Sequence, residues 1–191
     1  LYAPSSRFAR LAGGDETSVA TITREDVVAF HTEHFRPDAT ALLVVGDCTP
    51  EEAVRLATVH LGDWAGRTPP APVPDASPRF MDRRVHLVDK PDAQQAEMRL
   101  GHVAVPRAHP DYFPLVVMNA ILGGLFSSRL NLNLREAHGY TYGAHSAFDW
   151  RRAASPFEIS SAVQTDKCAD AVREALHEVE RMRTHAVSDE E

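Results

Sequence analysis

Residues 123–148 read GGLFSSRLNLNLREAHGYTYGAHSAF. A double glycine breaks a preceding apolar helix (DYFPLVVMNAIL, 111–122), in which Pro114 is tolerated because it lies in the first turn. Ser127 or Ser128 then caps a second helix whose Leu130 and Leu134 point inward. From Tyr142 the period changes to two: YGAHSAFDW (142–150) and FEISSAVQ (157–164) alternate as strands of an antiparallel pair. Helix, helix, strand, strand is an α+β pattern, with an antiparallel sheet flanked by helices. Within it Arg135, Tyr140 and Tyr142 stand among glycines where a core has no use for them. Substrate contact is expected there.

Working outward, VHLVD (85–89) and AEMRLGHVAV (96–105) read as further strands. Ala96, Met98 and Leu100 share one face of the second, with Gly101 as a bulge. Asp166 to about Thr184 is a long helix turning Val172, Ala175, Leu176, Val179 and Met182 inward. Towards the N-terminus, residues 1–22 are broken by Pro4 and Gly13-Gly14 and read as irregular. Thr23 with Asp26 caps a helix over 24–34, and Thr49-Pro50-Glu51-Glu52 starts another. Between them ALLVVGD (41–47) reads as a strand covered on both faces. GRTPPAPVPDASP (66–78) holds five prolines and little that can pack. Two partial domains follow: 1–66, a Pro-rich linker over 67–80, and 81–191. The first residue is Leu, and Ser188 to Glu191 spells a fresh capping box, so the natural protein is expected to extend beyond this chain.

The chain has 191 residues, 43% of them hydrophobic, enough to bury a core. Twenty Lys and Arg are interspersed with 27 Asp and Glu, for a net charge of −7, which excludes the basic face of a nucleic-acid partner. No apolar run reaches about 18 residues, so no membrane span is expected. Cys48 and Cys168, the two cysteines, make no disulfide framework.

Ten histidines invite a metal, but His31 and His34 are three apart, and neither HxxEH nor HExxH occurs. No third ligand can be assigned, and GxSxG, Walker, GxGxxG and CxxC patterns are missing too. Arg135 remains, near a helix C-terminus where a cation is favoured and its fork can hold a carbonyl or carboxylate. Tyr142 begins the next strand, where a phenol can donate to an oxygen gaining charge. The residues fit equally a helix-capping arginine and a half-buried tyrosine.

The stretch 123–148, together with ITREDVVAFHTEHFRPDATALLVVGDCTPEEA and DKPDAQQAEMRLGHVAVPRAHPDYFPLVVMNAILGG, resembles the pitrilysin/insulinase family of zinc metallopeptidases, which includes mitochondrial processing peptidase. The resemblance covers about residues 15–191. It implies a processing-peptidase type of α+β half with mixed or antiparallel sheets. In the family one half carries HxxEH and zinc, and the other supplies an Arg and a Tyr seven residues apart to a shared chamber. Those fall on Arg135 and Tyr142.

The resemblance further implies Ser127, Ser128, Asn133 and Tyr140 as neighbours of bound peptide, and Gly139 and Gly143 as points of close backbone approach. The implied partners are an extended peptide and a homologous zinc-bearing half, on the same chain or another. No metal ligand is expected on this chain; zinc belongs to the complete enzyme, and the chain alone is expected to be inactive. Two alternatives stay open: a fragment of the catalytic half with HxxEH upstream, or a non-proteolytic scaffold like the respiratory core subunits of the family. A metal-binding protein built on the scattered histidines is a third. No motif fixes the compartment; the wording of the segment is similar to bacterial members, for which cytoplasm or periplasm is expected.

Overall fold

The computed structural model describes residues 1–70, 75–189 and 191. The chain divides into two compact units, Leu11–Val73 and Leu1–Arg10 with Pro74–Glu191. The sequence pattern assigns residues 1–10 to the first domain; in the structure they cluster with the second. Tyr2 bridges to Pro78, and its hydroxyl donates to Ala154 O (2.9 Å). Part of the Pro-rich linker, 71–74, lies outside the described residues, as does Glu190 of the terminal capping box.

The first unit is helical. A short helix α1 (Glu16–Ala20) occupies a stretch that reads as irregular, closed by a reciprocal cap between Asp15 and Ser18. Helix α2 (Arg24–His34) has the expected box: Asp26 N–H donates to Thr23 Oγ1 (3.1 Å) and Thr23 N–H to Asp26 Oδ2 (2.9 Å). Helix α3 (Pro50–Leu61) starts on Thr49, which accepts from Glu52 N–H. The strand expected over 41–47 is corrected. These residues form no ladder, and Leu43 is 83% exposed. A strand is a pairing and needs a neighbour for its N–H and C=O groups; among the described residues this segment has none.

The second unit is built on a three-stranded antiparallel sheet in the order β1 (Gln95–Val103), β3 (Pro156–Gln164), β2 (Thr141–Phe148). The strand expected at 85–89 is corrected likewise: it is unpaired, with Leu87 exposed. Gly101 is no bulge, because β1 and β3 pair without interruption. Its role is close approach, since a Cβ there would stand 2.4 Å from Phe157 O. Met98, Ile159, Val163, Ala144 and Phe157 turn one face of the sheet inward.

That face is covered by α4 (Tyr112–Asn119), α5 (Arg129–Asn131) and α6 (Cys168–Thr184), and Leu122, Leu130 and Leu134 complete the core. Against the expectation of no membrane span, Tyr112–Ala137 is long and apolar enough by composition to cross one. The helix is interrupted between Gly124 and Arg129, however, and Leu122, Leu130 and Leu134 pack into the core. In α6, Ala171 and Ala175 are buried and Leu176 is 46% exposed, contrary to its expected inward direction. Glu178 takes an inner position instead, receiving hydrogen bonds from Asn133 Nδ2 (2.7 Å) and Arg181 Nη1 (2.9 Å).

Candidate functional site

Departures from regular backbone concentrate between residues 120 and 144. Helix α4 widens into a π-helical turn, Ala120–Gly124. Gly123 is obligatory there, because a Cβ would meet Ser146 N at 2.7 Å and Ser146 Oγ at 2.5 Å. After the turn Leu125–Ser128, α5 runs directly into a second π-helical stretch, Leu132–Ala137, which carries Arg135. It ends at Gly139 (φ 64°), and Tyr140 N–H donates to Leu134 O (2.9 Å). Nothing would touch a Cβ on Gly139, so glycine serves the left-handed conformation alone. Strand β2 then shifts register between Thr141 and Ala144, a bulge that leaves Tyr142 and Gly143 outside the ladder. π turns and bulges are common at functional sites because each re-aims the side chains it carries.

Tyr142 is 90% exposed. The guanidinium of Arg135 lies over the Phe126 ring, 4.2 Å from its centroid. Its Nη1 is 3.1 Å from Glu136 Oε1 yet lacks hydrogen-bond alignment, so the donor has no acceptor. Arg135 thus reaches Phe126 and Glu136, not Tyr142. Ser127 is exposed; Ser128 is buried and accepts from Asn131 Nδ2 (3.3 Å). Asn133 turns to α6, donating to Glu174 (3.1 Å) and Glu178. Tyr140 stacks on His138 at 4.9 Å. Below Gly143, Thr141 Oγ1 accepts its N–H (3.1 Å) and donates to Ala162 O (2.7 Å), while Ser161 Oγ donates to Gly143 O (2.9 Å).

Beside the second π stretch Arg129, almost fully buried, grips the Glu191 carboxylate with Nε and Nη2. That contact holds Glu191 down at about 2. Among the described residues no group of three or more His, Cys, Asp or Glu is placed to hold a metal.

Residues 21–191 match the peptidase M16 inactive domain. The chain belongs to the peptidase M16 family, the pitrilysin/insulinase type of metallopeptidase. An uncharacterized zinc protease of Mycobacterium tuberculosis is 27% identical over 180 residues, 93% of this chain and 41% of the relative. Human mitochondrial-processing peptidase subunit beta is 27% identical over 134 residues, 68% of this chain and 27% of that protein. Among solved structures, a peptidase M16 inactive domain from Pseudomonas fluorescens superposes with a TM-score of 0.85 at 22% identity, over 100% of this chain and 45% of that one. A protease from Helicobacter pylori gives 0.82 at 21% identity, over 92% and 43%. These likenesses show a shared fold. The chain spans about two fifths of the length of the mycobacterial relatives it matches and less of the processing-peptidase subunit.

Proposed function

We propose that this chain is the zinc-free, peptide-holding portion of an M16 metalloendopeptidase, and that Arg135 and Tyr142 are its contribution to a chamber completed by a homologous zinc-bearing half. The observation that carries the reading is Tyr142 itself: a phenol on a bulge, 90% exposed, at the edge strand of the sheet. A core does not need it there. In the proposal, an extended peptide docks by main-chain hydrogen bonds, which tolerate varied side chains. Arg135, partly exposed and with its guanidinium already seated on Phe126, offers its fork to a peptide carbonyl. Tyr142 Oη donates to the carbonyl oxygen as negative charge develops on it.

Zinc, when bound, would polarise the scissile carbonyl and its attacking water. No described residues of this chain fit as its ligands: His31 and His34 stand exposed on α2 without a third. That chemistry is therefore assigned to the other half. Tyr142→Phe is expected to lower the turnover of the assembled enzyme by about 10²–10³ with the fold intact. Circular dichroism beside a peptidase assay measures both, and near-normal turnover would sink the assignment.

A further inference from the structure

Resting on that reading, the geometry points to Asn131 as a positioning residue that ties the Arg135 side of the site to the Tyr142 side. Asn131 is 7% exposed and uses both ends of its amide. Its Nδ2 donates to Leu125 O (3.1 Å) and Ser128 Oγ (3.3 Å), closing the turn between α4 and α5. Its Oδ1 accepts from Ala144 N–H (3.0 Å), immediately after the bulge. The same oxygen would lie 3.7 Å from a Cβ on Gly143, so Asn131 is the floor beneath the bulged residue.

Follow each arm outward. Leu125 precedes Phe126, whose ring carries the Arg135 guanidinium. Ala144 closes the two-residue bulge that presents Tyr142. One buried amide therefore sets where both proposed peptide-binding groups stand. An aliphatic residue would fill the space but leave Ala144 N–H without its acceptor and Leu125 O with Ser128 N–H as its remaining donor, and buried polar groups require partners. Thr141 and Ser161 hold the bulge from the β3 side, so the fold survives without Asn131 while its two arms come apart.

The test compares Asn131→Ala with Asn131→Asp in the full-length protein assembled with its zinc-bearing half, using fluorescein-labelled β-casein as probe. Asp keeps an acceptor for Ala144 N–H and loses the donor to Leu125 O. In Asn131→Ala, kcat is expected to fall about 100-fold, the scale of a small misplacement of catalytic geometry, with a smaller change in KM. Amide exchange across 140–147 is expected to accelerate roughly tenfold by local opening. Asn131→Asp is expected to retain that protection and to lose kcat by an intermediate factor of about tenfold, because it cuts the Leu125 arm and keeps the Ala144 arm. If both variants lose activity only in proportion to their unfolded fraction, or exchange at 140–147 is unaltered in Asn131→Ala, the inference is overturned. Exchange is read without turnover. If Tyr142→Phe leaves cleavage unchanged, the proposed function fails while the Asn131 linkage is still judged by exchange.

Discussion

The two units of this chain are equally provided with apolar side chains and use them in opposite ways. Among the described residues of Leu11–Val73 no side chain is buried, although Val27, Phe30, Leu42 and Val45 are all there to be used. In the second unit Leu130, Leu134, Val163 and Ala175 are sealed from solvent. What separates them is the sheet. Helices α1, α2 and α3 form from neighbours in sequence, because side-chain caps satisfy some of their first N–H groups locally and Pro50 at N1 of α3 has none to satisfy. A layer of core needs a second layer, and among the described residues only the second unit has strands that pair with one another. Helix content and core formation are thus separable in one polypeptide.

The sharpest way to break that comparison is to empty a matched pair of leucines. Leu134→Ala is expected to cost about 2–5 kcal/mol by leaving a cavity under β2. Leu43→Ala, on the unpaired segment, is expected to change stability by no more than about 0.5 kcal/mol. Urea melts of the two variants check the contrast; equal losses would mean that 41–47 is packed after all. A smaller effect tests the local origin of α2. Removing the cap with Thr23→Ala should cost about 1 kcal/mol. The loss should register as faster amide exchange in 24–34 and leave the sheet untouched.

The smallest expected effect is electrostatic. Arg129 holds the Glu191 carboxyl at about 2, below its ordinary 4.5. A carboxylate with a lowered native pKa stabilises the fold above about pH 4.5 and loses that contribution as pH falls towards 2. The acid limb of a pH–Tm profile should therefore be shallower in Glu191→Gln than in the parent. Superimposable limbs would remove the Arg129 contact from the account.

How far these features were legible depended on whether the signal was local. Thr23, Asp26 and Thr49 announce their helices in four residues, and the structure has them. Leu130 and Leu134 fall inward as their spacing of four requires. The alternation after Tyr142 gives the β2–β3 pair to within two residues. The runs at 41–47 and 85–89 carry equally good strand composition and form none, because composition cannot supply a partner.

At the site, Arg135 and Tyr142 are legible as residues a core does not explain, and the resemblance to a family implies their roles. Asn131 is hidden in the run NLNL beside the similar Asn133. Its one local signal is the spacing of three from Ser128, that of a capping box with the shorter Asn where Glu or Gln is usual, although here the amide donates to Ser128 Oγ and no box forms. Glu178 was illegible for the opposite reason. A carboxylate on the inner face of a helix violates the pattern used to find that face.

The second π-helical stretch has a consequence for how this region can be compared with its relatives. A π turn takes in one residue more than an α turn. Each extra residue advances the helix by roughly 100°, given 3.6 residues per α turn. The phase shift accumulates along Leu132–Ala137, so that Leu134 still faces the core while the residues at the end of the stretch leave a helical wheel drawn from Ser128. Asn133 turns towards Glu174 and Glu178, and Arg135 comes to rest over Phe126. A relative that carried one residue fewer between Leu130 and Gly139 would complete an ordinary α-helix. It would keep an arginine in the alignment yet aim it elsewhere. In this segment the π-helical backbone, as much as the identity of the side chain, specifies where the arginine points.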